Sequence, residues 1–180
     1  MSSRKKDKNS EENVTEAGPK RQYLAFRLAD EFFGMELDQT REILEYSDVT
    51  DVPLMPNFMV GVINLRGDVV PVIDLSIRLG RQAIQINKRT CIVIVELHSY
   101  DQEHILGLLV DSVSEVIDIA ESAIEDAPAF GAKIRAEFIQ GIAKVDNDFI
   151  VLLDAEKTLS PIELAHIVES ELQGSINEAE

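Results

Sequence analysis

The chain has 180 residues, 45% of them hydrophobic, so it can bury a real core as one domain or as two small lobes. Its formal net charge is −16, and residues 21–180 hold 12 basic against 29 acidic side chains, a balance that disfavours nucleic acid and anionic membrane as partners. Apolar runs such as 92–95 and 105–110 fall far short of the roughly 20 residues of a membrane span; the basic N-terminus has no apolar stretch behind it, and the single Cys91 excludes an internal disulfide, so a soluble intracellular protein is expected.

Residues 1–20 are dominated by polar side chains and end in Gly18-Pro19-Lys20. Too little apolar surface is present to offset chain entropy, so a disordered tail that is dispensable for folding is expected, with order beginning near Gln22. Residues 23–28 then place Leu24, Phe26 and Leu28 on one face of a strand, and Asp30-Glu31 reads as a turn into a second strand over 32–37. Residues 59–65 and 69–74 are two apolar runs joined by Arg66-Gly67-Asp68, the pattern of a β-hairpin with a charged tip. Further strands are expected over 90–97, 104–110 and 113–119, and a last hairpin over 138–145 and 149–153 turns at Asp146-Asn147-Asp148. Asp74 and Asp154 end strands and are expected to cap the short segments that follow. Ser160-Pro161-Ile162-Glu163 supplies an N-cap, a first-turn proline and a capping-box glutamate for one helix ending near Gly174. Residues 175–180 are expected to be a disordered end. Many short strands separated by turns indicate an all-β barrel or sandwich.

The chain also repeats itself. Residues 58–80 align with 138–160 at an offset of 80, with Phe58/Phe138, Gly61/Gly141, Asp68/Asp148, Asp74/Asp154 and Leu79/Leu159 identical. Residues 33–44 align with 106–117 at an offset of 73, with Gly34/Gly107, Asp38/Asp111 and Glu42/Glu115 identical. The changed offset calls for seven extra residues in the second copy, and 131–138 is the expected place. Two β units of about 65–70 residues follow. Glycines recurring inside strand patterns mark bends, bulges or close backbone approach, which fits two small barrels packed together. The copies differ at the hairpin tip, where Arg66-Gly67-Asp68 faces Asp146-Asn147-Asp148, so Arg66 is the residue of interest.

Catalytic signals are absent from the pattern. His98, His104 and His166 show no metal-ligand spacing, no glycine-rich phosphate loop is present, and the aspartates match no calcium loop. Cys91 opens an apolar strand and reads as a small buried hydrophobe. A binding module without catalysis, metal or cofactor is expected; a small β-barrel enzyme or ligand-binding protein is the alternative, and would need a pocket of converging ionisable groups.

The segment Phe58 to Leu75, with Gly61-Val62-Ile63-Asn64-Leu65-Arg66-Gly67 at its centre, resembles the signature segment of the CheW family of chemotaxis coupling proteins. Phe33-Gly34 to Glu42-Ile43, the lead-in Met55-Pro56-Asn57-Phe58 and the block from Gly107 to Val116 also fit, so that the resemblance covers about residues 21–174. It implies two intertwined five-stranded SH3-like barrels with a C-terminal helix. It further implies a cytoplasmic, non-enzymatic adaptor, held at membrane receptor arrays through protein partners. Those partners are the regulatory domain of a CheA-type histidine kinase and the cytoplasmic tip of methyl-accepting receptors. An adaptor of a chemosensory array outside motility is the second form of this reading. The match assigns Gly61, Val62, Asn64, Leu65 and Arg66 to kinase binding. It assigns Thr40, Glu42, Ile43, Arg66 and Val113 to receptor binding in a groove between the barrels. Thr40 is polar where the family often has an aliphatic residue, and the N-terminal tail is longer than usual.

Overall fold

The computed structural model describes residues 18–99, 101–127, 134–161 and 163–165. Most of the expected tail, part of the expected insertion, the expected helix beyond residue 165 and the expected disordered end lie outside these residues.

Among the described residues eleven strands are formed: β1 (Lys20–Leu28), β2 (Glu31–Glu36), β3 (Thr40–Glu45), β4 (Met59–Leu65), β5 (Asp68–Asp74), β6 (Cys91–Ser99), β7 (Gln102–Val110), β8 (Ser112–Ala120), β9 (Ile124–Glu125), β10 (Ile139–Val145) and β11 (Asp148–Leu153). Two single-turn helices, α1 (Leu75–Arg78) and α2 (Ala155–Thr158), follow β5 and β11. One sheet runs β3-β6-β7-β5-β4 and the other β8-β1-β2-β11-β10-β9. The second sheet therefore has six strands rather than five, because the two-residue β9 adds to its edge. In the first sheet the corresponding crossing is a single bridge, Thr50 to Val62.

The strand order shows how the copies are combined. Copy one is β1 to α1, and copy two is β6 to α2. Each copy gives its first hairpin to the sheet built from the other copy's remaining strands. The exchange is sealed by two parallel pairings, β5 with β7 and β11 with β2. They match residue for residue: Val72 faces Gly107 in one, and Leu152 faces Gly34 in the other. A side chain on Gly107 would meet Ile92 at 2.9 Å and Val72 at 3.3 Å, and one on Gly34 would meet Leu152 at 2.9 Å. These glycines leave room for the exchanged strand.

Burial follows the same plan. A shared core fills the space between the sheets, drawing Leu24, Phe26, Leu28 and Phe33 from one and Val93, Val95, Leu97 and Leu108 from the other. Each sheet also curls around a small core of its own. In the first, Leu44 of edge strand β3 and Ile63 of the opposite edge β4 pack in one cluster with Val70, Val72, Ile92 and Ile94. In the second, Tyr23, Ile119, Ala143, Ile150 and Leu152 do the same. Tyr23 replaces Ile92, and Ala143 replaces Ile63, at matched positions. One larger and one smaller side chain preserve the filled volume.

Arg78 departs from the pseudo-symmetry. Its match is Thr158, and its side chain is only 7% exposed. The guanidinium lies over the matched rings of Phe58 and Phe138, at 5.8 and 4.9 Å, and Nε donates to the Thr158 carbonyl at 2.8 Å. Glu163 lies 3.0 Å from Nη2 and also accepts from Arg135 at 2.6 Å. The Arg135 contact first, with Arg78 adding to it against partial burial, holds the Glu163 carboxyl below its usual range. The expected helix start is present: Ser160 Oγ accepts from the Glu163 N–H at 3.4 Å and the Ser160 carbonyl from Leu164 N–H at 2.9 Å.

The caps at Asp74 and Asp154 form as expected, but unequally. Asp154 accepts one N–H, from Lys157 at 3.0 Å. Asp74 is buried and accepts from Ile77 at 3.1 Å and from Ile84 at 2.9 Å, so it also pins the segment linking the copies. Burial raises its pKa in spite of these bonds.

Gly61 and Gly141 share a mechanism. The register slips in both copies just before them, between Met59 and Gly61 and between Ile139 and Gly141. A side chain on Gly61 would lie 2.1 Å from the Thr50 carbonyl oxygen; one on Gly141 would lie 2.4 Å from Ile124 and 2.9 Å from the Glu125 carbonyl oxygen. Gly61 also has φ of +154°. The crossing segment thus packs directly on the bulge. Thr50 and Glu125 sit 75 residues apart, so two of the seven extra residues precede this crossing and five follow it.

Gly61→Val is expected to cost about 3 kcal/mol or more, since backbone rather than a movable side chain blocks the site; urea denaturation checks this, and a wild-type midpoint refutes it. Asp74→Ala should cost about 2–3 kcal/mol and Asp154→Ala about 1, because only the former leaves a second, partly buried N–H without its partner. With its folded pKa above the unfolded value of about 3.9, Asp74 contributes less stability as pH rises through that window. Unfolding free energies of wild type relative to Asp74→Asn should therefore fall from about pH 4 up to the raised folded pKa.

Candidate functional site

The two hairpin tips have one backbone shape and different chemistry. Leu65 pairs with Asp68 and Val145 with Asp148, leaving two-residue turns. Both central residues have positive φ in each: Arg66 at 52° and Gly67 at 92°, Asp146 at 49° and Asn147 at 69°. This is the turn that matches the twist of paired strands, and it favours Asn, Asp and Gly. Asp146 and Asn147 suit it. Arg66 does not, and holding it there costs about 1 kcal/mol. Asn64 offsets part of this by accepting the Gly67 N–H at 2.9 Å; its match in copy two is Lys144, which has no acceptor.

Arg66 Nη2 lies 3.2 Å from Glu42 Oε1, joining the hairpin tip to β3 across the two edges of the first sheet. The Arg66 side chain is 71% exposed. An ion pair so wet contributes well under 1 kcal/mol, and the arginine's charge stays largely open to solvent. Glu42 shares the inward face of β3 with Leu44, whereas Ile43 points out and is exposed.

The assigned residues thus divide. Arg66 and Glu42 are in contact. Asn64 and Ile43 are exposed, and Thr40, Val62 and Leu65 are half-buried. Thr40 Oγ1 is buried without a hydrogen-bond partner among the described residues. Gly61 is buried beneath Thr50 and shapes its strand. Val113 lies on the other sheet, in β8 opposite Phe26, and packs on the shared core. It occupies the position matched to Thr40.

The structure adds residues that the sequence reading passed over. Val69 is 70% exposed and Phe149 66% exposed, at matched positions directly after the two tips. Val116 is the exposed match of Ile43, which the family resemblance had already assigned to receptor binding. The repeat carried the signal: in each copy an apolar residue sits out of phase beside a buried one, Val69 before Val70 and Phe149 before Ile150. The strand β3 is not among the strands expected from the sequence, although its match β8 is. Among the described residues, no helix is long and apolar enough to cross a membrane.

Comparison with known proteins shows the family. The family described as CheW-like domain matches residues 22–163. The chain is 31% identical over 144 residues to the chemotaxis protein CheW of Klebsiella aerogenes, covering 80% of this chain and 84% of that one. It is 34% identical over 143 residues to the probable chemotaxis protein CheW of Rhizobium etli, covering 79% and 90%. The crystal structure of the scaffolding protein TtCheW from Thermoanaerobacter tengcongensis superposes with a TM-score of 0.67 at 37% identity, over 76% of this chain and 85% of that one. With two interlocked barrels of matching topology and a family match spanning both, this chain belongs to the CheW family.

Proposed function

We propose that the protein is a non-catalytic adaptor that couples methyl-accepting chemotaxis receptors to the regulatory domain of a CheA-type histidine kinase. The observation that carries this reading is Arg66. A side chain that disfavours its backbone conformation is kept at an exposed tip, where the other copy has the better suited Asp146. Such local strain is retained where it serves contact rather than folding. Arg66 contacts Glu42, and next to the tip Asn64 pairs with the exposed Val69; exposed arginines are over-represented among the residues that dominate interface energetics.

On this reading Val62, Asn64, Leu65 and Arg66 meet the kinase, and Gly61 holds their strand in place. Thr40, Glu42, Ile43, Arg66 and Val113 meet the receptor. Thr40 and Val113, at matched positions beside the shared core, suit a groove for an amphipathic helical tip. The adaptor works in the cytoplasm at receptor arrays and is held there by its partners.

The mechanism is tethering. Two distinct surfaces on one rigid body raise the mutual concentration of receptor and kinase to about millimolar, so each contact needs only micromolar affinity, about 8 kcal/mol.

Arg66→Glu should weaken partner binding by about 1–3 kcal/mol while shifting stability by no more than about 0.5 kcal/mol. Arg66→Asp, which copies the turn of the other barrel, should raise stability by several tenths of a kcal/mol and still weaken binding. Calorimetric affinity for isolated kinase regulatory domain and receptor fragment, read beside thermal melts, checks both; unchanged affinity refutes the assignment. In a reconstitution of kinase with receptor-bearing membranes, autophosphorylation should pass through an optimum as this protein is titrated, because excess adaptor occupies the partners separately. A flat titration refutes the coupling.

A further inference from the structure

The β6–β7 hairpin is longer than its counterpart β1–β2. The matched pairs Val95–Leu106 and Phe26–Phe33 enclose ten residues in copy two and six in copy one. The longer arm carries Glu96, His98 and Glu103. Glu96 and His98 are two apart on β6 and so share a face, and Glu103 is the direct cross-strand partner of His98. The geometry brings one nitrogen and two carboxylate oxygens within 4.8 Å of one another. None of the three belongs to the coupling surface.

We propose that this hairpin binds a divalent transition-metal ion of the zinc class through the imidazole of His98 and the carboxylates of Glu96 and Glu103. Around a four-coordinate zinc ion with bonds of about 2.0–2.2 Å, neighbouring donors stand about 3.4 Å apart. The His98 Nε2 to Glu96 Oε1 separation is 4.0 Å. Small rotamer changes close the difference, and they are open to these side chains because His98 and Glu103 are exposed and Glu96 is half-buried. The imidazole selects against magnesium and calcium, which prefer all-oxygen shells. With three protein donors, one coordination position stays open to solvent.

The site is tested by titrating the full chain with Zn²⁺ alone in a non-chelating buffer, following heat and competition with a chromophoric chelator. One equivalent should bind with a Kd below about 100 µM. His98→Ala and Glu103→Gln should each weaken binding at least tenfold, without altering the thermal melt of the metal-free protein. His104→Ala, one residue from Glu103 and on the opposite face of β7, should bind as wild type, and millimolar Mg²⁺ should not compete. The proposal is overturned by any of three results: no saturable binding, undiminished binding in His98→Ala, or equal loss in His104→Ala. Several weak equivalents untouched by the variants also overturn it, since that pattern belongs to the acidic surface at large.

Discussion

The pairing of β5 with β7 and of β11 with β2 is the constraint on which the rest of the molecule hangs. A parallel pair cannot be made by a tight turn; it needs strands brought from distant parts of the chain. Here each parallel pair joins one copy to the other, at Val72–Gly107 and Leu152–Gly34. The glycines are what permit it, because a side chain at either position would meet the partner strand within 3.3 Å. Once the hairpins are exchanged, the largest apolar cluster lies between the barrels rather than inside either. The barrels are therefore held together by their main core. A rigid relation between two surfaces on two barrels is what tethering requires.

The symmetry is also what makes the asymmetries informative. Positions at which the copies differ, with backbone shape retained, are those released from the common fold. Arg78 is buried where Thr158 is its match, and it locks two aromatic rings and the start of the C-terminal helix around one guanidinium. Removing one member of that set would leave a buried charge without its partner, which is costly. Asp74 does double duty where Asp154 only caps. Arg66 is the counter-case, a difference that makes the fold slightly worse.

Much of this was legible in the sequence because period-two strands, turn residues and an internal offset are local signals. The repeat, the hairpin around Arg66, the aspartate caps and the role of the matched glycines could all be read from residue spacing. The strand β3 is not visible in its own local pattern: Thr-Arg-Glu-Ile-Leu-Glu is rich in charge, its outward face carries Arg41, Ile43 and Glu45, and only the repeat match to β8 points to it. It becomes a strand because β6 lies beside it, a tertiary effect that overrides weak propensity. The exchange of hairpins was not visible in composition or period and entered only through family resemblance, since either partner for β1–β2 satisfies the same alternation. His98 was set aside for lack of ligand spacing along the chain. Its nearest carboxylate on β7 is a neighbour across the ladder, which linear spacing does not show.

The exchange also bears on how the chain is made. Lys20 pairs with Ala120, and Phe32 with Ile150. A ribosome releases residues in order, so the first hairpin emerges long before the strands that will flank it. Until β8 and β11 are synthesised, its edges and the apolar row Leu24, Phe26, Leu28 have no native cover. Folding of the first barrel waits as well, because β3, β4 and β5 need β6 and β7 to complete their sheet. The two barrels must finish nearly together and late in translation. A chain stopped within the second copy therefore leaves the edges of the first hairpin unpaired, the kind of surface that favours aggregation.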